Sequence, residues 1–226
     1  SSAASDVYKR QEYVIGENIS RDVNPTAEAV VFVGEHFNNL TVRNIKAFNT
    51  FGGVDIRSNG TVENVYCEYT DSCVKVGFTS GIEVYVDKVS GINSGWSVQN
   101  IYLSDSKVNV GDIDVSGKSG GIMLGNSNNI DVVCFGKIKN TQYSEYPDGV
   151  QVWTGNNNIT VENCNIEGFV TGVEIVSPNV VIRNVSISNA KDCYNIRDTE
   201  NVSFVNNTCY NTKTRGYVGN SNNILF

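Results

Sequence analysis

What this chain has little of excludes several classes of protein before any motif is read. Its 226 residues contain one histidine, His36, and no Cys-x-x-Cys pair, which argues against zinc. His36 reads as a surface or capping residue rather than a catalytic base. No run approaches the roughly 18 apolar residues of a membrane-spanning helix, so no membrane span is expected. Positive charge is also short. Seventeen Lys and Arg against 24 Asp and Glu give a formal charge of -7 and a pI near 4.7, which argues against nucleic acid or an anionic membrane as partner. Proline is rare, at three residues, whereas glycine numbers 21 and asparagine is abundant. That composition suits many tight turns between short strands.

The turns recur at a fixed period. Asn158 to Val176, NITVENCNIEGFVTGVEIV, holds two short alternating runs separated by a glycine-containing bend. The same text returns at Asn179 (NVVIRNVSIS) and Asn201 (NVSFVNNTCY), and Asn223 starts a further copy. Anchors can be placed at Asn39, Asn59, Gly81, Asn100, Asn129, Asn158, Asn179, Asn201 and Asn223. Inward residues are expected one and three positions after each, as in Leu40 and Val42 or Ile159 and Val161. A second strand follows in each unit, from Val54-Asp55-Ile56 and Val74-Lys75-Val76 through Trp96-Ser97-Val98 to Val150-Gln151-Val152, Val173-Glu174-Ile175 and Tyr194-Asn195-Ile196. The runs are too short and too rich in Val, Ile and Thr for helices. Like residues at like offsets in consecutive units point to parallel stacking about 4.8 Å apart, a solenoid, rather than an antiparallel sandwich. The expected fold is all-β, a single-stranded parallel β-helix of about eight to nine coils.

The solenoid is expected over 39–226, with 12–38 as an N-terminal partial coil or cap. Residues 1–11, SSAASDVYKRQ, resemble a translated sequencing-adapter artefact and are read as a non-native scar. On that reading the solenoid is truncated at both ends, the chain stopping inside a repeat. The six cysteines, Cys67, Cys73, Cys134, Cys164, Cys193 and Cys209, allow three bridges in any of 15 connectivities. Several replace apolar residues of neighbouring copies, so stacked core thiols are expected over disulfides.

From Asn39 onward the chain resembles the right-handed parallel β-helix repeats of the pectin-lyase-like superfamily. Asn44, Asn64, Asn163, Asn184 and Asn206, each five positions after an anchor, resemble that family's asparagine ladder, with Val86, Asp105 and Cys134 as interruptions. A side-chain amide carries both donor and acceptor, so stacked copies can bond one another. The segment YPDGVQVW around Asp148-Gly149 is similar to the Asp-Gly strand starts of many carbohydrate-active β-helices. The resemblance implies right-handed winding and makes a polysaccharide the expected substrate or ligand. It does not extend to full catalytic sets. Polygalacturonase-type members use Asn-Thr-Asp, an Asp-Asp pair, Gly-His-Gly and Arg-Ile-Lys, of which only Asp148 has a counterpart here. Lyase-type chemistry would need a calcium cluster and a basic proton abstractor. Asp55, Asp71 and Asp87 recur about sixteen residues apart but at different coil positions, so no metal site and no cofactor is assigned, calcium being the one ion left open.

In a solenoid with a filled core, chemistry sits on an outer face or in loops. The outward residues of the second strand read Asp55, Lys75, Ser97, Met123, Gln151, Glu174 and Asn195, with Arg57, Trp153 and Arg197 just beyond. The insertion Thr141 to Asp148 adds Tyr143, Glu145 and Tyr146. Sugar rings call for aromatic faces, hydroxyl partners and a carboxylate pair. Asp148 and Glu174 are therefore the candidate catalytic residues, with Glu145 and Asp198 near them. Tyr146, Gln151, Trp153, Asn195 and Arg197 are the candidate substrate contacts. Adjacent coils would set the two carboxyls about 5 to 10 Å apart, a range covering both glycosidase geometries. The plainer alternative makes Glu174 a solvated strand residue and Asp148 a turn former. The expected function is an extracellular or cell-surface β-helix that acts on or binds a polysaccharide or cell-surface glycan, of glycoside hydrolase or lyase type if catalytic. The alternative is a non-enzymatic surface or adhesion solenoid.

Overall fold

The structure, a computed structural model, describes residues 14–17, 29–35, 40–143 and 147–226. The adapter-like segment, His36, the anchor Asn39 and the insertion residues Glu145 and Tyr146 lie outside the described residues. Among the described residues there is no helix, and 23 strands join one sheet with parallel pairing throughout its coils. One column of Cα partners runs Leu40, Gly60, Val84, Val108, Val132, Val161, Ile182, Phe204, one residue per coil, which makes about eight coils.

The alternation of the sequence sets which side chains face in. Val54, Val74, Val98, Ile122, Val150, Val173 and Tyr194 form a second column, all buried. β-branched residues fit such a column because their single preferred rotamer packs against the like residue of the next coil. Each buried Val or Ile contributes roughly 1.5–3 kcal/mol relative to exposure. The chain turns from face to face through single residues in the left-handed region. Among the described residues these are mostly asparagines, including Asn44, Asn64, Asn129, Asn158, Asn163, Asn184, Asn189 and Asn201. Their amides then bond from coil to coil: Asn64 to Asn44 at 2.6 Å, Asn158 to Asn129 at 2.8 Å, Asn184 to Asn163 at 3.2 Å and Asn223 to Asn201 at 3.1 Å.

The structure corrects the expected register in the middle of the chain. The strand Trp96–Val110 runs straight through Asn100, which pairs with Val76 and Leu124 and is buried in the core instead of starting a coil. Asp105, read as a break in the ladder, is the corner residue there, with φ 48 and an amide bond from Asn129 at 2.7 Å. Val86 is likewise a core residue, and Lys88 takes the corner conformation. The outward column therefore contains Gln99, not Ser97, between Lys75 and Met123. Ser97 is buried and bonds the Gly120 carbonyl at 3.0 Å.

The expectation of stacked thiols fails for four of the six cysteines. Cys134 is bonded to Cys164 one coil on, with Cα atoms 4.8 Å apart, and Cys193 is bonded to Cys209. The cause is positional. Cys134 and Cys164 stand at the same corner of neighbouring coils, where the paired strands Asn128–Cys134 and Asn157–Glu162 end, whereas Cys193 in Asp192–Arg197 meets Cys209 in Thr208–Tyr210 of the next coil. Cys67 and Cys73 are free and buried. Cys209 does share a column with Ile166 and Ile187, whereas Cys67 stands between Ala47 and Gly91.

Candidate functional site

The strands Asp148–Val152, Thr171–Ile175 and Asp192–Arg197 lie side by side in three successive coils. At the start of the first, Gly149 is pressed against the core residue Ile166, where a Cβ would collide with the Ile166 side chain. Gly149 and Val150 thus both face inward, and the bend turns Asp148 and Gln151 out together. The same offset puts Glu174 and Asn195 out in the following coils, in register with Gln151.

These side chains form one connected network. Gln151 Nε2 donates to Asp148 Oδ2 at 3.2 Å and also to Glu174 Oε2. Glu174 Oε1 accepts from Asn195 Nδ2 at 3.0 Å and from Arg197 Nε and Nη2 at 3.2 and 2.8 Å. The Arg197 guanidinium lies 5.7 Å from the centre of the Trp153 ring. Asp148 and Glu174 are both buried, although they stand on the outer side of the sheet. Burial removes water from the Asp148 carboxyl, and the adjacent negative charge of Glu174 adds to the effect. Together they push its pKa up to about 8, against the opposing pull of the Thr171 hydrogen bond and the Arg197 charge. The shift favours retention of a proton by this acid pair.

Of the residues singled out from the sequence, the structure brings together Asp148, Gln151, Trp153, Glu174, Asn195 and Arg197. Tyr146 and Glu145 lie outside the described residues, as does the side chain of Tyr143. Asp198 is not part of the group. It is a corner residue with φ 51 that accepts the Asn220 amide at 3.2 Å. Lys75 and Asp55 sit several coils away, Lys75 against the Phe51 and Phe78 rings and Asp55 in an ion pair with Arg57 at 3.1 Å. Asp87 accepts the Asp112 backbone N–H at 2.9 Å. Among the described residues no three His, Cys, Asp or Glu side chains converge as metal ligands would.

The two carboxyls are linked through one donor. Gln151 Nε2 serves both Asp148 Oδ2 and Glu174 Oε2, and the negative charge of Glu174 acts on Asp148. Sequence reasoning missed Thr171 and Trp96. Thr171 is the Cα partner of Asp148 and pulls its carboxyl's pKa down. The signal was present, because Thr171-Gly172 repeats the offset of Asp148-Gly149. Trp96, read as an inward residue, starts its strand instead. Its ring fills the space a side chain at Gly120 would take, one coil before Asp148.

Residues 96–226 match the family described as the right handed beta helix region, more than half of the chain. The chain belongs to the right-handed β-helix family. No curated protein matches it. The matched span contains the whole Asp148–Arg197 network, so the site stands on the β-helix itself. Right-handed winding is also what parallel crossovers between twisted strands favour. The β-helix explains how the side chains are held: they come from three successive coils, with Gln151, Glu174 and Asn195 in one register, and the sheet fixes their spacing.

Proposed function

We propose that this β-helix binds polysaccharide or cell-surface glycan on its second-strand face, outside the cytoplasm, and that the Asp148–Glu174 pair transfers a proton there. The reading rests on one observation, the buried acid pair joined through Gln151, Asn195 and Arg197 beside the half-exposed Trp153. A sugar ring presents an apolar face and a rim of hydroxyls. Trp153 supplies a surface for the first, and the amides of Gln151 and Asn195 supply partners for the second. Two disulfides among the described residues are consistent with an oxidising compartment. Of the cleavage chemistries, hydrolysis fits best, with Asp148 as general acid. Elimination asks for a basic abstractor, and Arg197 is tied to Glu174.

A second reading has its own support. Both oxygens of Glu174 are already occupied by protein donors, as in a side-chain network that braces three coils of a structural solenoid. A panel of plant, microbial and animal glycans separates the two. Binding that is lost in Trp153→Ala, with the unfolding midpoint unchanged, supports the recognition face. Absence of binding to every glycan, with the fold intact by circular dichroism, supports the structural solenoid.

A further inference from the structure

The two free cysteines stand where the core exchanges a glycine for a larger side chain. At three second-strand starts an inward glycine is set against an isoleucine of the next coil: Gly121 against Ile138, Gly149 against Ile166 and Gly172 against Ile187. Near the beginning of the chain the volumes are exchanged. Cys73 occupies the glycine position, and the residue it faces in the next coil is Gly91, whose missing Cβ would lie 3.5 Å from the Cys73 Sγ. On the other side Gly53 faces Cys67, with the Cys67 Sγ 3.2 Å from where a Cβ would be. The two glycines thus leave both sulfurs free to turn toward each other. Each sulfur lies beside a glycine of the other cysteine's column, Cys67 beside Gly53 and Cys73 beside Gly91, and neither side chain is exposed to solvent. Near the other end of the chain, the same corner holds the Cys193–Cys209 bridge.

We infer that Cys67 and Cys73 are a cross-linking site that closes to a third intrachain disulfide under oxidising conditions. With oxidised glutathione as the oxidant, one thiolate attacks a glutathione sulfur and releases one reduced glutathione. The second thiolate then attacks the resulting mixed disulfide and releases the other. Two thiols lose two electrons and two protons, and one oxidised glutathione becomes two reduced molecules. Burial pushes the Cys73 thiol well above the usual cysteine range, so the step is slow in the folded protein and speeds up when the corner opens. The bridge would close the short turn that carries the chain from the strand Gly60–Glu68 into Ser72–Ser80.

The test uses the full chain in a glutathione redox buffer, in two arms: the folded protein, and the reduced unfolded chain during refolding. Thiols are counted after denaturation, and the protein is mapped without reduction. The expected result is a fall from two free thiols to none in the folded protein, with a mass lower by two hydrogens, and from six to none on refolding, with a mass lower by six. Cleavage after Glu68 or Asp71 should then leave the flanking pieces joined until a reductant is added. In Cys67→Ser, Cys73 should remain unbridged. Two free thiols in both arms would overturn the inference. So would a Cys73 that pairs with any cysteine other than Cys67.

Discussion

Arg197 reaches back one coil to clamp Glu174, with Nε and Nη2 both on Oε1 at 3.2 and 2.8 Å. The carboxylate end of this pair is almost fully buried, whereas the arginine side chain is 41% exposed. The clamp thus holds a charge that the protein has taken out of water, using a partner that still touches it. Removing the arginine leaves the carboxylate buried without its counter-charge. Arg197→Met should therefore cost about 1–3 kcal/mol, less than a wholly buried pair because solvent screens the exposed end. Urea unfolding measures it. Arg197→Lys should recover only part, since an ammonium cannot present two donors in the plane of the guanidinium.

The raised pKa of Asp148 predicts a pH dependence opposite in sign to that of an ordinary salt-bridged carboxylate. In the unfolded chain this Asp titrates near 3.9, and in the folded protein at about 8. Between those values the folded state holds a proton that the unfolded state has lost. Its contribution to stability is greatest below pH 4 and falls as pH rises toward 8. Asp148→Asn is neutral at every pH. It should match the parent near pH 4 and exceed it by about 2 kcal/mol or more at pH 8, read from thermal melts across the range. A difference independent of pH would show that Asp148 titrates normally.

Asn100 is fully buried, and neither its amide nitrogen nor its oxygen has a hydrogen-bond partner. It lies in a column between Val76 and Leu124. An unpartnered buried amide costs about 1–3 kcal/mol. Asn100→Leu should raise the unfolding free energy by a similar amount, provided the column accepts the added bulk. Chemical denaturation of the two proteins decides it.

The Cys134–Cys164 bridge links neighbouring coils and closes a loop of 30 residues. Replacing both cysteines with serine should cost about 3 kcal/mol by the loop-closure argument. A double variant as stable as the parent would mean that stacking alone holds these coils together.

The architecture was legible because a solenoid writes its structure in sequence offsets. Asn158, Asn179 and Asn201 start three copies whose apolar residues fall at the same positions, and all three are corner residues. Legibility failed at Asn100, where the same residue type serves as a core side chain. An asparagine marks a corner only when its backbone turns left-handed, and the strand Trp96–Val110 does not turn there. The displaced register then hid Gln99 and misplaced Trp96. Most of the candidate site was readable as a list, since Gln151, Glu174 and Asn195 share one offset. How closely Asp148 approaches Glu174 was not readable, because it depends on the bend at Gly149 and on which rotamers the shared Gln151 amide selects. The Cys193–Cys209 bridge was hidden for a similar reason: the two face each other across coils, a relation that offsets along one column do not express.

The most direct test of the proposed function is reducing-sugar release and glycan affinity measured side by side for the parent, Asp148→Asn and Glu174→Gln. If the acid pair works as proposed, release from the bound glycan falls at least 100-fold in both variants, the scale of a lost general acid or its partner. The variants should keep their fold and much of their affinity. Binding without release in the parent, unaltered by either substitution, would contradict proton transfer by Asp148 and Glu174.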